Sequence, residues 1–427
     1  MSTSDSIKQI LGVKDKNIEI LSCQEGFYKG KKVILAEAAL IRTFHRCPLC
    51  KVSSEALVRN GKKVSMILLN RCANKQTYLR LKKQRYHCRA CHKYFTAQTY
   101  LVNRHCFISK QVHYHVLEEL TENQSMKNIA NHCHISVTTV QRTLSSLAFE
   151  TKIRKSWLPK CLLFDEFRSL TTHHGTFSFS CMDGNTGKLF DILPSRQKKD
   201  LVAYFMRFDR KAREKVRYIV TDMNAPYFSL MKECFPNAKA IVDRFHIVQH
   251  LNKGFNQVRI RVMKQLNTKD KKQAKYYRQL KSLYKLLLKP ADKLDFMTFK
   301  KRRNFNWSYL TETEVVDRLL AISPELKAAY SYYQELLSAY RDKDSEQFFQ
   351  LLHSQLKELP KELQQVKKAF FTYESGIRLA FTQPYSNGRL ENLHTHIKTL
   401  KRVAYGFRDF SNMRTRIFLL NGLITYK

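Results

Sequence analysis

Three acidic residues stand where carboxylate chemistry is possible. Residues 160–164 form an apolar run that ends in Asp165 and Glu166, and residues 216–221 form a second that ends in Asp222. An apolar run ending in an acid reads as a buried strand that delivers a carboxylate at its end. Two carboxylates held side by side repel each other unless a cation lies between them. A pair of Mg2+ (or Mn2+) ions roughly 3.5–4 Å apart would serve, one activating an attacking oxygen and the other stabilising a leaving one. Magnesium takes only one or two carboxylates per ion, so two or three acids suffice. The third candidate is Glu391. Asn387-Gly388 is a turn signal just before it, and Leu390, Leu393, Ile397 and Leu400 are spaced for one buried helical face, with Glu391 one step off that stripe. Asn387, Lys398, Lys401 and Arg402 would flank such a cleft and hold phosphates.

Each acid taken alone is ambiguous. A lone Asp after a strand is more often a turn former or a helix cap. Glu166 competes with Asp165, although neighbours on a strand face opposite sides and only one can point into the site. Asp243, at the end of the short apolar run 238–243, competes with Asp222. Its neighbours Arg244 and His246 suggest a salt-bridged structural role or a DNA contact.

A second chemistry is written in the cysteines. Cys47-Pro48-Leu49-Cys50 and Cys88-Arg89-Ala90-Cys91 are two CxxC turns. Each can present two thiolates to one ion, and together they complete a tetrahedral four-thiolate site for one structural Zn2+. The intervening stretch is strand-rich, giving a zinc ribbon-like layout, and His45, Cys72, His87 or His92 could replace one ligand. Such an ion would close a unit with too little core to fold alone. Eleven cysteines in a long chain with no secretory pattern argue against a disulfide framework.

The elements that must position these residues follow from periodicity. From about residue 157 the pattern gives strands at 160–167, 176–181 and 188–193, a helix over 198–213, and strands at 216–222 and 238–243. Three antiparallel strands, a helix, a strand, a helix and a strand is the order of a ribonuclease H-like domain. That fold carries its first acid on the opening strand and its second at the end of the fourth. Upstream, 110–120 reads as a helix. Residues 125–130 and 135–144 then read as a helix-turn-helix pair, with Ser136 capping the second helix and no glycine in the turn. Thr138, Thr139, Gln141 and Arg142 lie on or beside that second helix, where polar side chains meet base edges or phosphates. A long basic helical region, with helices expected over 253–272, 275–288 and 315–340, separates the second acid from the third. DNA grip, subunit contact and a solvated bundle covering the core are all open readings of it.

The fold class expected is therefore multidomain α/β. It comprises a zinc ribbon-like domain (1–105), a helix-turn-helix (106–155) and a ribonuclease H-like catalytic domain (156–427) with a helical insertion at about 250–383. Lys and Arg number 76 against 36 Asp and Glu, a net charge of +40, and the pI is near 9.9. A cationic excess spread along the chain points to nucleic acid as partner. The polar start of the chain and the absence of an 18-residue apolar run speak against a membrane partner and for a cytoplasmic, nucleoid-associated protein.

With these residues in order, the chain resembles the DDE transposases of the ISL-three insertion-sequence family. The resemblance rests on the early CxxC pair, Phe164-Asp165-Glu166-Phe167, Thr221-Asp222-Met223 with Pro226-Tyr227, and Val242-Asp243-Arg244-Phe245-His246. Ser386-Asn387-Gly388 through Glu391 to Lys401-Arg402, and Tyr405-Gly406-Phe407-Arg408-Asp409-Phe410, complete it. The family often has a glycine where this chain has Asn392, and an asparagine near His394. The resemblance implies that Asp165, Asp222 and Glu391 form a metal-binding triad. It also implies an enzyme that binds terminal inverted repeats, hydrolyses a phosphodiester and joins the freed 3′-hydroxyl to target DNA. Because two ends are cut together, it implies a homo-oligomer on double-stranded DNA. A DNA-binding regulator or inactive relict is the alternative, and a nuclease acting on RNA–DNA hybrids is a weaker one.

Overall fold

The computed structural model describes residues 3–148, 154–172, 175–354 and 359–424. The chain divides into two compact units, Met1–Lys152 with His396–Lys427, and Ile153–Thr395.

In the first unit, helix α1 (Thr3–Ile10) precedes a five-stranded sheet of β1 (Ile18–Tyr28), β2 (Lys31–Leu40), β3 (Leu57–Cys72), β4 (Lys75–Cys88) and β5 (Tyr94–Thr96). The order is β1-β2-β4-β3, with β5 also paired to β4. β2 runs parallel to β4 over Thr77–Lys83, and β5 pairs antiparallel with Arg85–His87, so the two share the length of one strand. The β3–β4 hairpin turns at Ala73 and Asn74, both at positive φ (47° and 59°), as a two-residue turn matching strand twist requires. Alternate residues such as Ile67, Leu69, Leu79 and Leu81 bury one face against Ile18, Ala36, Ala38 and Leu40. This sheet is larger than a ribbon between two knuckles: β1 and β2 lie upstream of the first CxxC and were not anticipated.

Three helices follow, α2 (Lys110–Glu119), α3 (Met126–His132) and α4 (Val137–Leu147). Ser109, Ser125 and Ser136 each cap the helix that follows, their hydroxyls accepting the N–H of Val112, Asn128 and Thr139. Between α3 and α4 the chain reverses through His134 at φ 54°, and the Ile135 N–H donates to the Ala130 carbonyl at 2.9 Å. A histidine thus occupies the left-handed position that glycine usually takes. The helix Phe410–Leu420 packs against α4. The Ser145 hydroxyl donates to Asn412 Oδ1 at 2.8 Å, and the buried Arg416 donates to the carbonyls of Glu122 (2.7 Å) and Gln124 (3.2 Å). The catalytic domain expected over 156–427 spans a boundary between the two units. Here the segment from His396 onward groups with the N-terminal unit, the boundary falling inside the helix Gly388–Val403.

The second unit is built on β6 (Cys161–Thr172), β7 (Gly175–Asp183), β8 (Leu189–Leu193), β9 (Tyr218–Thr221) and β10 (Lys239–Val242), in the order β10-β9-β6-β7-β8. β6, β7 and β8 are antiparallel neighbours, while β9 and β10 run parallel with β6. Helices Lys198–Phe205, Arg210–Glu214 and Ala225–Cys234 are joined to the sheet through a core in which Leu201, Phe205, Phe208, Leu230 and Met231 meet Leu162, Phe164, Phe179 and Ile219. The single helix expected over 198–213 is two, and the break lets Phe208 enter that core.

After β10 comes a helical insertion that starts at once with Arg244–Gln265 and ends with Glu374–Thr382. The helix expected over 315–340 is broken into Glu312–Leu320 and Pro324–Arg341, because Pro324 disfavours helical backbone in the residue before it. A two-stranded hairpin, β11 (Lys300–Arg302) and β12 (Ser308–Leu310), was not foreseen among the helices. Glu374–Thr382 lies against β10, where a side chain at Gly376 would meet Val242 Cγ2 at 3.0 Å and the Ala240 carbonyl at 3.3 Å. Glycine allows that approach without displacing the strand.

Candidate active site and cysteine cluster

Register brings the first acids together. β6 pairs with β9 as Leu163↔Val220, so Asp165 and Asp222 each lie two residues beyond a matched pair on parallel strands. β9 pairs with β10 as Thr221↔Val242, which sets Asp243 level with Asp222. Three carboxylates therefore meet at one edge, where β9 and β10 end and β6 runs on. Alternation along β6 separates Asp165 from Glu166 as expected. Glu166 turns to Arg196 and to the Tyr227 hydroxyl (3.3 Å), on the face of Phe164. Asp165 turns to His394, whose Nδ1 is 3.4 Å from Oδ2.

Glu391 comes from the first turn of Gly388–Val403. The start of that helix is fastened to two strands. The buried Asn387 donates its backbone N–H to Asp243 Oδ1 and its side-chain amide to the Phe164 carbonyl, each at 2.9 Å. His394, on the next turn, accepts or donates through Nε2 with Ser180 Oγ at 2.8 Å and lies over Phe167. Asn387 was expected at a phosphate-holding rim; at 1% exposure it is instead a buried clip between strands and helix.

The electrostatics are those of crowded acids. Burial, then the charges of Asp222 and Asp243, pushes the Asp165 carboxyl up to about 7. Burial first, with Asp222 adding, raises Asp243 against the opposing Asn387 N–H. Glu391 is raised by burial and by Asp243 and Asp222. His246 answers them. Burial disfavours its charge, but the contact with Asp222 Oδ1 (2.7 Å) and the charges of Asp243 and Asp165 outweigh that and lift it to about 9. The salt bridge expected between Asp243 and its neighbours Arg244 and His246 is replaced: His246 pairs with Asp222, and Asp243 accepts the Asn387 N–H. Arg244 ties the helix ends instead, donating to the carbonyls of Ala380 and Gln383. Asp243 lies level with Asp222, and one of its oxygens, Oδ2, is buried with no hydrogen-bond partner. Neither Asp243 as a fourth acid nor His394 as the partner of Asp165 was anticipated; the one available signal was that His394 follows Glu391 by three residues, on the same helical face.

The cysteines converge as spaced. The sulfurs of Cys47, Cys50, Cys88 and Cys91 all lie within 4.8 Å of one another, the only such group among the described residues. Each CxxC is followed by a residue at positive φ, Lys51 (64°) and His92 (51°), and each loop is closed by a backbone bond, Cys47 N–H to the Val52 carbonyl and Cys88 N–H to the Lys93 carbonyl. Burial opposes the Cys47 thiolate, yet the N–H groups of Cys50 and Leu49 outweigh it and hold the thiol down to about 7. Backbone amides aimed at one sulfur suit a thiolate bound to a soft cation.

On α4, Thr138, Gln141 and Arg142 are exposed, and the half-buried Thr139 hydroxyl lies 2.9 Å from that of Ser136, at the start of the helix. Lys398, Lys401 and Arg402 lie on the part of their helix that belongs to the first unit. Among the described residues no helix is long and apolar enough to cross a membrane.

Comparison with known proteins now bears on these sites. Residues 162–417, more than half the chain, match the family described as transposase, of the DDE type and ISL3 class. Residues 43–91 match the family described as zinc-finger of transposase IS204/IS1001/IS1096/IS1165. The transposase for insertion sequence element IS1001 of Bordetella parapertussis is 23% identical over 293 residues, 68% of each chain. A Lactococcus lactis protein titled ATP-dependent protease is 44% identical over 124 residues, 29% of this chain and 38% of its own length.

Proposed function

This chain belongs to the ISL3 family of transposases, and from that premise we propose that it binds the terminal inverted repeats of an insertion sequence, cuts there and joins the freed 3′-hydroxyl to target DNA. The observation that carries the reading is the register that sets Asp165, Asp222 and Asp243 together at the ends of adjacent strands, with Glu391 near enough that burial and the charges of Asp243 and Asp222 raise its carboxyl. Strand order β10-β9-β6-β7-β8 supports assigning the second unit to the ribonuclease H-like class.

The donor set suits a divalent cation. All its atoms are hard carboxylate oxygens, burial and neighbouring charge raise Asp165, Asp243 and Glu391, and Asp243 Oδ2 is buried without a partner. In this proposal Asp165, Asp222 and Glu391 hold two Mg2+ or Mn2+. Bound there, such ions supply Lewis-acid activation of the attacking oxygen and neutralise charge on the leaving one. The chain's own work is to aim the ligands: His394 orients Asp165, His246 orients Asp222, and Asn387 fixes the start of the glutamate helix. Water, then the DNA 3′-hydroxyl, acts as nucleophile, so no covalent protein intermediate is needed.

The remaining parts follow from the same premise. The four thiols suit one structural Zn2+. Helices α3 and α4 act as a helix-turn-helix, with Thr138, Gln141 and Arg142 toward DNA and Thr139 supporting the turn. Lys398, Lys401 and Arg402 contribute phosphate contacts. The protein works as a homo-oligomer on two DNA ends, in the cytoplasm at the nucleoid.

A strand-transfer assay on matched end sequences tests the proposal. We expect joined products that require Mg2+ or Mn2+ and vanish in Asp165→Asn while end binding persists. Tight end binding without cleavage in either metal would instead identify a DNA-binding regulator or inactive relict.

A further inference from the structure

The helical insertion contains one surface that neither the acids nor the recognition helix uses. Phe296, Met297, Phe299, Trp307 and Tyr309 fall within fourteen consecutive positions and are each between 57% and 74% exposed. Exposed large apolar side chains are ordinary when scattered, but a cluster marks a contact surface. Lys300, Lys301, Arg302 and Arg303 are interleaved with them.

The hairpin register sorts these residues by face. Lys301 pairs with Tyr309, and Lys300 with Leu310. Phe299, Lys301 and Tyr309 therefore project to one side, while Leu310, 2% exposed, and the half-buried Arg302 turn inward. Lys301 Nζ sits 5.5 Å above the Trp307 ring, so the outward face alternates aromatic rings with a cation.

The backbone beneath is anchored. Asp295 Oδ1 accepts the N–H groups of Met297 and Thr298, each at 2.9 Å. The Asn304 carbonyl accepts from the Gln279 side chain (2.8 Å), the Asn304 amide donates to Ser282 Oγ (2.7 Å), and Phe305 is buried under Arg318. Asn306 and Trp307 both adopt positive φ, 53° and 62°. A bulky residue in that conformation is costly, and here it holds the indole outward. The backbone that carries the rings is thus ordered before binding, which lowers the ordering cost.

We propose that this hairpin is a stacking platform for unpaired nucleotides of DNA. Flat rings take any base by its face, and the cations between them follow the backbone phosphates, which is the chemistry of sequence-tolerant single-strand binding. The platform goes beyond the active-site reading and stands apart from it, because it needs none of the acids.

The chain has two tryptophans, Trp157 and Trp307, so Trp157→Phe leaves Trp307 as the reporter. The full-length protein is titrated, without divalent metal so that cleavage plays no part, with a labelled duplex carrying a gap of a few unpaired thymines and with the same duplex fully paired. We expect quenching of Trp307 emission by the gapped DNA and at least about fivefold tighter binding of it, the lower end of what one stacked base contributes. Trp307→Ala should abolish the preference while paired-duplex binding persists, and Tyr309→Ala should lose part of it. Equal affinity for both DNAs with unchanged emission overturns the proposal. So does a Trp307→Ala protein that keeps the preference, or one whose only change is its sedimentation, which would make the hairpin a contact between copies.

Discussion

His394 Nδ1 lies 3.4 Å from Asp165 Oδ2 while its other ring nitrogen lies 2.8 Å from Ser180 Oγ. One buried imidazole therefore joins the helix of Glu391 to two neighbouring strands. Partners of this kind fix ligand orientation, and losing one typically lowers metal affinity or activity about 10–100-fold. We expect His394→Ala to weaken Mn2+ binding within that range by calorimetry, with His394→Gln in between. Wild-type affinity in the alanine variant would remove His394 from the site.

The acids themselves should separate by face. Asp222→Asn and Glu391→Gln should lower cleavage by more than the roughly 100-fold ceiling of a supporting residue, with DNA binding retained. Glu166→Gln, whose carboxylate faces Arg196 and Tyr227, should cost about 1 kcal/mol or less in thermal unfolding and leave Mn2+ affinity alone. An inactive Glu166→Gln protein of normal stability would exchange the roles of the two neighbours.

Metal removal should act on the first unit. Elemental analysis is expected to find one zinc per chain, and a strong chelator should release it together with thiol reactivity at Cys47, Cys50, Cys88 and Cys91. Cys47→Ser and Cys88→Ser should abolish zinc binding and loosen the β3–β4 end, because binding free energy at such sites is folding free energy. Full zinc content in both variants would contradict the cluster.

On α4, Arg142→Ala should weaken binding to end DNA by about 1–3 kcal/mol if the guanidinium reads a base, and should relax sequence preference there. A uniform loss with a shallower salt dependence would identify a phosphate contact instead. Ser136→Ala, which removes a cap, should cost about 1 kcal/mol of stability and can be compared in the same titration.

The site was legible in the sequence where chemistry coincides with periodicity. Apolar runs that end in Asp165 and Asp222, the stripe beside Glu391 and the doubled CxxC all announce themselves locally. What stayed hidden depends on contacts between distant segments. The burial of Asn387 follows from Asp243 and Phe164, more than a hundred positions away, and a glycine-like turn at His134, Lys51 or His92 is masked by a side chain that carries no turn signal. The β11–β12 hairpin escaped because its strands are three residues each, too short for alternation to stand out among helices.

The packing of Phe410–Leu420 onto α4 has a consequence for synthesis. Domains generally fold in the order in which they leave the ribosome, yet α4 meets its covering helix only after the whole of the second unit has been made. A nascent or prematurely terminated product would carry α3 and α4 with one flank bare, and Arg416 would be missing from the Glu122 and Gln124 carbonyls. If α3 and α4 bind the element's ends as proposed, interrupted translation products should compete poorly for them, which leaves those ends to full-length protein.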